Sequence, residues 1–336
     1  MTHELESILK AYQTNKNNGM QSVLATVVDL DGSSYRKPGV RMLIDAHQKT
    51  VGAVSGGCVE KDIVSQAQKV FESGEALIMT YDGRYRLGCE GVLYILIEPL
   101  ELSQEQVSLI LRQIKARKPI KIKSSYRREV GTYPHLNTRI SGEGFEFSVH
   151  HNGLEQIHDR IFTQVLSPKF KLLIIGAEHD AVALSQMASQ LGWSVEIIAS
   201  QDEQKELSYF ESASELHLFS YEQIKQMQID KNTAVVLMTH SLQKDLQYLI
   251  ALENKFPVYF GLLGPRKRKE ELLNKLIELK PEFQLDYVDQ FKGPAGLDLG
   301  AQSAHEIALA ILAEILSVSR EKDARTLSQK KGAIHD

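Results

Sequence analysis

KLLIIGAEHDAVALSQMASQLGWSVEIIA (residues 171–199) decides how the second half of the chain folds. Leu172 to Ile175 form an apolar run too short for a helix. It enters a turn at Gly176, continues into a segment with helical spacing over about 178–191, and returns as the β-branched run SVEIIA (194–199). The same rhythm goes on in ELHLFS (215–220), TAVVLMTH (233–240), a helical segment over about 242–254 and PVYFGLLG (257–264). Strands alternating with helices predict a parallel, doubly wound sheet. Ala304, Ile307, Ala308, Ile311, Leu312, Ile315 and Leu316 then recur at helical spacing and predict a closing amphipathic helix. The last residues, SREKDARTLSQKKGAIHD (319–336), are polar and predict a frayed tail.

The turn Gly176-Ala177-Glu178-His179-Asp180-Ala181 matches the dinucleotide fingerprint G-x-G-x-x-G/A only at its ends. Glu178 replaces the middle glycine and brings bulk and negative charge to the place where a pyrophosphate approaches. Ala199-Ser200-Gln201 stands where an acidic residue usually grips the ribose. These residues predict a Rossmann-like scaffold with Gly176 facing any cofactor and with NAD(P) bound weakly or not at all. Gly264-Pro265-Arg266-Lys267-Arg268 reads as another helix start, with Pro265 at its first helical position and Arg266 as a candidate anion contact. Thr239-His240 closes a strand on the sheet edge where such folds place ligands, although His240 alone reads as a packed or solvent-facing side chain.

Working outward, residues 3–18 read as a helix, and SVLATVVDL (22–30), RMLID (41–45), TVGAV (50–54), ALIMTY (76–81) and VLYILIEPL (92–100) as strands. A helix follows over about 103–117, then short antiparallel strands within 119–150. The expected organisation is a mixed α+β domain over residues 1–167, a Rossmann-like parallel-sheet domain over 168–318, and a tail over 319–336.

Two loops of the first domain carry chemistry. In GSSYRKPGVRM (32–42), Ser33 and Ser34 offer hydroxyl donors to a phosphate, and Arg36, Lys37 and Arg41 offer charge. A solvated hairpin is the bland alternative. In SGGC (55–58), Gly56 and Gly57 lead Cys58 into a helix whose stripe is Val59, Ile63, Ala67 and Val70 and which ends at Gly74. Unpaired amides and the dipole of a helix start favour thiolate over thiol. Cys58 is therefore a candidate nucleophile, persulfide carrier or soft-metal ligand, against the alternative of a small buried cysteine beside a turn. Cys89, between Gly88 and Gly91, is a second candidate thiol. The two cysteines lack C-x-x-C spacing, which argues against structural zinc.

The chain has 336 residues, 43% hydrophobic and 24% charged, as expected of a globular protein with more than one domain. Its net charge, 39 minus 43 or −4, argues against a general nucleic-acid binder. No apolar run approaches a membrane span, and MTHELESILKAYQ at the N-terminus is not a secretory signal. With two cysteines and no disulfide framework, the expected compartment is the cytoplasm.

GSSYRKPGVRML and SGGCVEKD resemble the N-terminal signature of the XdhC/CoxI family, accessory factors of molybdenum hydroxylases. The likeness runs on through LGCEGVLYILIEPL (87–100), KLLIIGAEHDAVAL (171–184), YFGLLGPRKRKEELL (259–273) and GPAGLDLGAQSAHEIALAILAEI (293–315), in the family's order. Family relatives show a better glycine turn, an acid at the Ala199 position and an aspartate where Ser241 stands. The resemblance implies a chaperone, with no turnover of its own required, that binds the molybdenum–pterin cofactor (molybdopterin) and helps insert it in sulfurated form. Its implied partners are an apo molybdenum hydroxylase of the xanthine dehydrogenase type and a cysteine desulfurase; a homodimer is left open. Cys58 would touch the dithiolene or the metal. Arg36, Lys37 and Arg41 would hold the phosphate. The rival readings are an NAD(P)-dependent oxidoreductase, which Glu178 opposes, and a regulatory protein that uses Cys58 and Cys89 as a redox switch.

Overall fold

The computed structural model describes residues 1–32, 37–83, 91–150, 159–283 and 291–329, the side chain of Cys58 excepted. The chain divides into two compact units, Met1–Pro168 and Lys169–Asp336.

The first unit runs α1 (Thr2–Asn17), β1 (Ser22–Asp31), β2 (Arg41–Asp45), β3 (Thr50–Gly52), α2 (Cys58–Ser73), β4 (Leu77–Asp82), β5 (Val92–Pro99), α3 (Gln104–Lys115), β6 (Ile120–Tyr126), β7 (Gly131–Thr132), β8 (Thr138–Gly142), β9 (Phe145–Ser148) and β10 (Arg160–Leu166). It holds two antiparallel sheets, ordered β3-β2-β1-β5-β4-β7 and β10-β6-β8-β9. Alternation along β1 explains the layering, because successive side chains point to opposite faces. Val23, Ala25 and Val27 pack with Val59, Ile63, Ala67 and Val70 of α2. Leu24 faces the other way, into a core shared with α1, α3 and Ile120, Ile122 and Ile140 of the second sheet. Helix α2 ends where Gly74 adopts a left-handed conformation that an ordinary residue resists. Helix α3 starts at a Ser103–Gln106 capping box.

A buried polar cluster lies where β5 meets the second sheet. Glu98 is fully buried and accepts from the Thr138 backbone N–H at 2.8 Å and from the Thr138 hydroxyl. His150, also buried, holds Nε2 3.4 Å from Glu98 Oε2 and 3.0 Å from the Leu136 carbonyl. Burial alone pushes the imidazole pKa down, but the hydrogen bond and charge of Glu98 more than offset it, so the net shift is upward. A raised folded-state value means that the pair's stabilisation is complete below the ordinary histidine value, about 6.5, and is lost as pH rises through the folded value. Melting temperature is therefore expected to fall as pH rises above the ordinary histidine value, and His150→Gln to flatten that dependence. An unchanged slope in the variant would count against the pair.

The second unit runs β11 (Lys171–Ile175), α4 (His179–Gln190), β12 (Ser194–Ala199), a 3₁₀ turn (Leu207–Phe210), β13 (Glu215–Leu218), α5 (Tyr221–Ile224), β14 (Thr233–Leu237), α6 (Leu242–Ala251), β15 (Tyr259–Leu262), α7 (Arg266–Leu279), β16 (Phe291–Lys292) and α8 (Ala304–Ser319). Its sheet is parallel throughout, in the order β13-β12-β11-β14-β15-β16. This is the Rossmann order, with its topological switch between β11 and β14. Because both faces are covered, β11 and β14 are fully buried and read as unbroken apolar runs. α4 and α8 share one face with Trp193 and Phe210, while α6 and α7 cover the other. β10, β16 and the short α5 are elements that periodicity did not reveal. Pro265 is the N-cap of α7 and not its first helical residue.

Candidate functional site

The thiol site is built by α2. Cys58 is the first residue of this 16-residue helix, after Gly57 at the N-cap. Gly57 has φ +54° and ψ −69°, a conformation that residues with a Cβ rarely adopt and only with strain. Both Gly56 and Gly57 are exposed, and a Cβ at either would meet no atom within 4 Å. These glycines thus leave open space and supply a backbone turn; they do not relieve a packing clash.

Glu60, which periodicity did not single out, shapes this loop. From the first turn of α2 its Oε1 accepts from the backbone N–H of Val54 at 3.1 Å and of Ser55 at 2.7 Å. Its Oε2 is buried with no hydrogen-bond partner among the described residues. A carboxylate in the first turn also answers part of the helix dipole, so it competes with the negative charge expected on Cys58. Glu60→Ala is expected to cost about 1–3 kcal/mol, since two loop amides lose their acceptor. Faster hydrogen exchange at Val54 and Ser55 would report it; unchanged exchange would remove Glu60 from this role.

Of the basic residues assigned to phosphate, Lys37 is exposed at the loop's end. Arg41 is not in the open loop. It lies in β2, 7% exposed, and its Nη1 donates to the Gly39 carbonyl at 2.8 Å and to Gln164 Oε1 at 2.6 Å. Burial pushes its pKa down to about 10, partly offset by Glu98 and Glu4, so it stays charged at neutral pH. Among the described residues its Nε and Nη2, and the Thr26 hydroxyl, which belongs to its partner residue on β1, have no hydrogen-bond partner. Arg41 therefore braces the loop from inside the unit. Gly39 allows this packing, because a Cβ there would sit 2.3 Å from Gln164 Nε2. Ser33, Ser34, Arg36 and Cys89 lie outside the described residues.

The second candidate site lies at the carboxyl edge of the parallel sheet. Gly176 has φ +127°, and a Cβ on it would stand 2.4 Å from the Met238 carbonyl oxygen. Close approach of β14 backbone thus accounts for this glycine without a ligand. Glu178 is the N-cap of α4 with an extended backbone and no side-chain cap; Asp180 sits in the first turn. Asp202 and Glu203, beyond the usual ribose-gripping position, are both engaged by Lys244 Nζ of α6, at 3.3 and 3.2 Å. Arg266, 85% exposed, pairs with Glu270 one turn on and is absent from the cleft. Arg268 is the residue of that basic run that lines it. Its Nε and Nη2 donate to Asp245 Oδ2 at 3.2 and 2.6 Å. Asp245, fully buried, also accepts from the Thr239 hydroxyl at 2.6 Å and from the Thr239 N–H at 3.3 Å. This network holds the turn carrying His240, whose φ is +55°. Strain of this kind persists only where surrounding contacts impose it.

Among the described residues, no group of three or more His, Cys, Asp or Glu is placed to hold a metal ion, and no helix is long and apolar enough to cross a membrane.

A family model described as the XdhC Rossmann domain matches residues 172–315, and one described as the XdhC and CoxI family matches residues 16–82. The chain is 28% identical over 320 residues to a Bacillus subtilis protein named as a probable xanthine dehydrogenase subunit, covering 89% of this chain and 94% of that protein. It is 26% identical over 326 residues to the molybdenum cofactor insertion chaperone PaoD of Escherichia coli, covering 95% and 90%. A crystal structure described as a xanthine dehydrogenase from Bacillus halodurans superposes with a TM-score of 0.76 at 27% identity, over 96% of this chain and 98% of that one.

Proposed function

This chain belongs to the XdhC and CoxI family, and we propose that it is an accessory factor that carries the molybdenum cofactor, assists its sulfuration and delivers it to an apo-enzyme of the xanthine dehydrogenase type. The observation that carries this reading is the placement of Cys58 as the opening residue of α2, behind two exposed glycines with open space around them. A guest of some size can approach there, and the helix start favours the thiolate needed to meet a dithiolene, a persulfide or a soft metal. The relatives' names support the cofactor as cargo.

In this scheme Ser33, Ser34, Arg36 and Lys37 hold the cofactor's phosphate, and Arg41 keeps the strand end of their loop in place through Gln164. The cofactor is handed on and not consumed, so no residue needs to turn over a small molecule. The work is placed in the cytoplasm, with a cysteine desulfurase as sulfur source and the apo-hydroxylase as recipient.

Co-expression of the chain with such a hydroxylase in a cofactor-producing host tests this. Wild-type chain is expected to co-purify with pterin and to raise hydroxylase activity; Cys58→Ala is expected to lose at least about tenfold of that activation, as expected when a nucleophile or soft ligand is removed. Undiminished activation by Cys58→Ala would remove the thiol from the scheme. Absence of pterin from the wild-type protein would remove the cargo.

A further inference from the structure

The cleft at the carboxyl edge of the parallel sheet is lined by Asp180, His240, Leu263, Gly264, Pro265 and Arg268 and has a volume of about 320 Å³. It lies by the switch between β11 and β14, where open α/β sheets take ligands. That volume is at the small end of ligand sites, which span about 300–1,000 Å³. It suits one or two fused rings and is short of a dinucleotide.

Its charge pattern is the reverse of a phosphate site. The dipole of α4 is already met by Asp180 in its first turn. The Arg268 guanidinium is turned onto buried Asp245. Among the described residues the basic side chain beside the Asp180 carboxylate is His240, with Nε2 3.7 Å from Oδ2, too long for a hydrogen bond. Asp180 therefore brings a carboxylate, an acceptor group, to the cleft lining. His240, held at φ +55° and 57% exposed, presents a ring N–H beside them in its Nε2–H tautomer. Leu263 and Pro265 supply apolar wall.

Two carboxylate acceptors with a ring donor beside Oδ2 form a set that a donor–donor–acceptor edge on a flat ring answers. The 2-amino-4-oxopyrimidine edge has that order, with amino N–H, ring N–H and carbonyl oxygen side by side. Adenine offers a donor and an acceptor, and an alkyl ammonium leaves the histidine unanswered. We infer that this cleft binds the 2-amino-4-oxopyrimidine edge shared by pterins and guanine. The choice of pterin between the two rests on the cofactor-carrier reading; the edge itself rests on Asp180 and His240.

Calorimetric titration of the full chain with neopterin, guanosine, lumazine, adenosine and NADH tests it. Neopterin is expected to saturate in the micromolar range. Lumazine, a pteridine with a carbonyl in place of the 2-amino group, is expected to bind about 30-fold more weakly, because it sets an acceptor against Asp180. Asp180→Asn is expected to cost neopterin about 30-fold, because its amide sets a donor against one of the ring's N–H donors. Lumazine, adenosine or NADH binding as tightly as neopterin would overturn the proposal, as would no neopterin binding at millimolar concentration or undiminished binding by a folded Asp180→Asn protein. Guanosine binding more tightly than neopterin would overturn the pterin assignment. The lumazine comparison uses the wild-type protein, so it decides the matter even if the variant fails to fold. Wild-type protein that binds neopterin but never co-purifies with pterin would sink the carrier reading and leave this site standing. Pterin co-purification without discrimination against lumazine would do the reverse.

Discussion

Arg268→Met is expected to destabilise the second unit by about 3–5 kcal/mol, because it strands the charge of Asp245 in the interior. Asp245 is fully buried, and half of its hydrogen bonds come from the Arg268 fork, with Nη2 at 2.6 Å. The Thr239 contacts satisfy only the other oxygen. In a unit of this size that loss corresponds to a fall in melting temperature on the order of 10 °C. Asp245→Asn in the Arg268→Met background is expected to return most of the stability, since a neutral amide still accepts from Thr239 without carrying a charge into the core. Denaturant unfolding of the two variants measures both. If the double variant is no more stable than Arg268→Met alone, the cost lies in lost packing of the arginine stem and not in an unpaired carboxylate. The network also reaches the ligand cleft, because Thr239 leads directly to the left-handed backbone of His240.

Gly176→Ala should be comparably severe. The new methyl would stand 2.4 Å from the Met238 oxygen and 2.9 Å from the Thr239 nitrogen, both backbone atoms of the neighbouring strand exit, so no side chain can swing aside. The φ of +127° adds conformational strain for any residue with a Cβ. Strain and overpacking together amount to about 3–5 kcal/mol. Chemical unfolding would show the loss in the protein without any ligand. A variant that folds as well as wild type and fails only in nucleotide binding would mean that the glycine serves pyrophosphate approach, as the fingerprint suggests, and not the β11–β14 contact.

These two positions separate local from non-local information. The turn at 176–181 was legible as a strand-to-helix junction, and its departure at Glu178 was legible as an obstacle to phosphate. That Gly176 is held by Met238 is a contact between segments about sixty residues apart, which no local pattern encodes. The basic run after Gly264 shows the same divide. Composition drew attention to Arg266, but helical geometry sends Arg266 to solvent and a pair with Glu270, and two residues on it brings Arg268 over the sheet edge to Asp245. In the first unit, the charge of Arg41 suggested a ligand contact, whereas β2 is buried along its whole length and holds it inside, against Gln164 of β10. β10 itself escaped notice because most of its residues are exposed or half-buried, and its place depends on pairing with β6 across a long separation.

Sequence alone determined what repeats locally: the apolar runs of β11 and β14, the α2 stripe from Val59 to Val70, the alternation of strands and helices, and so the mixed first half and parallel second half. Hydrophobic periodicity is written residue by residue, so those elements could be read before any contact was known. Tertiary structure alone decided which polar groups meet: Glu60 with the loop before Cys58, Arg41 with Gln164, Arg268 with Asp245, and Asp180 left facing His240. Those partners come from distant or oppositely phased parts of the chain, and burial, not spacing, turns their charges into interactions that matter.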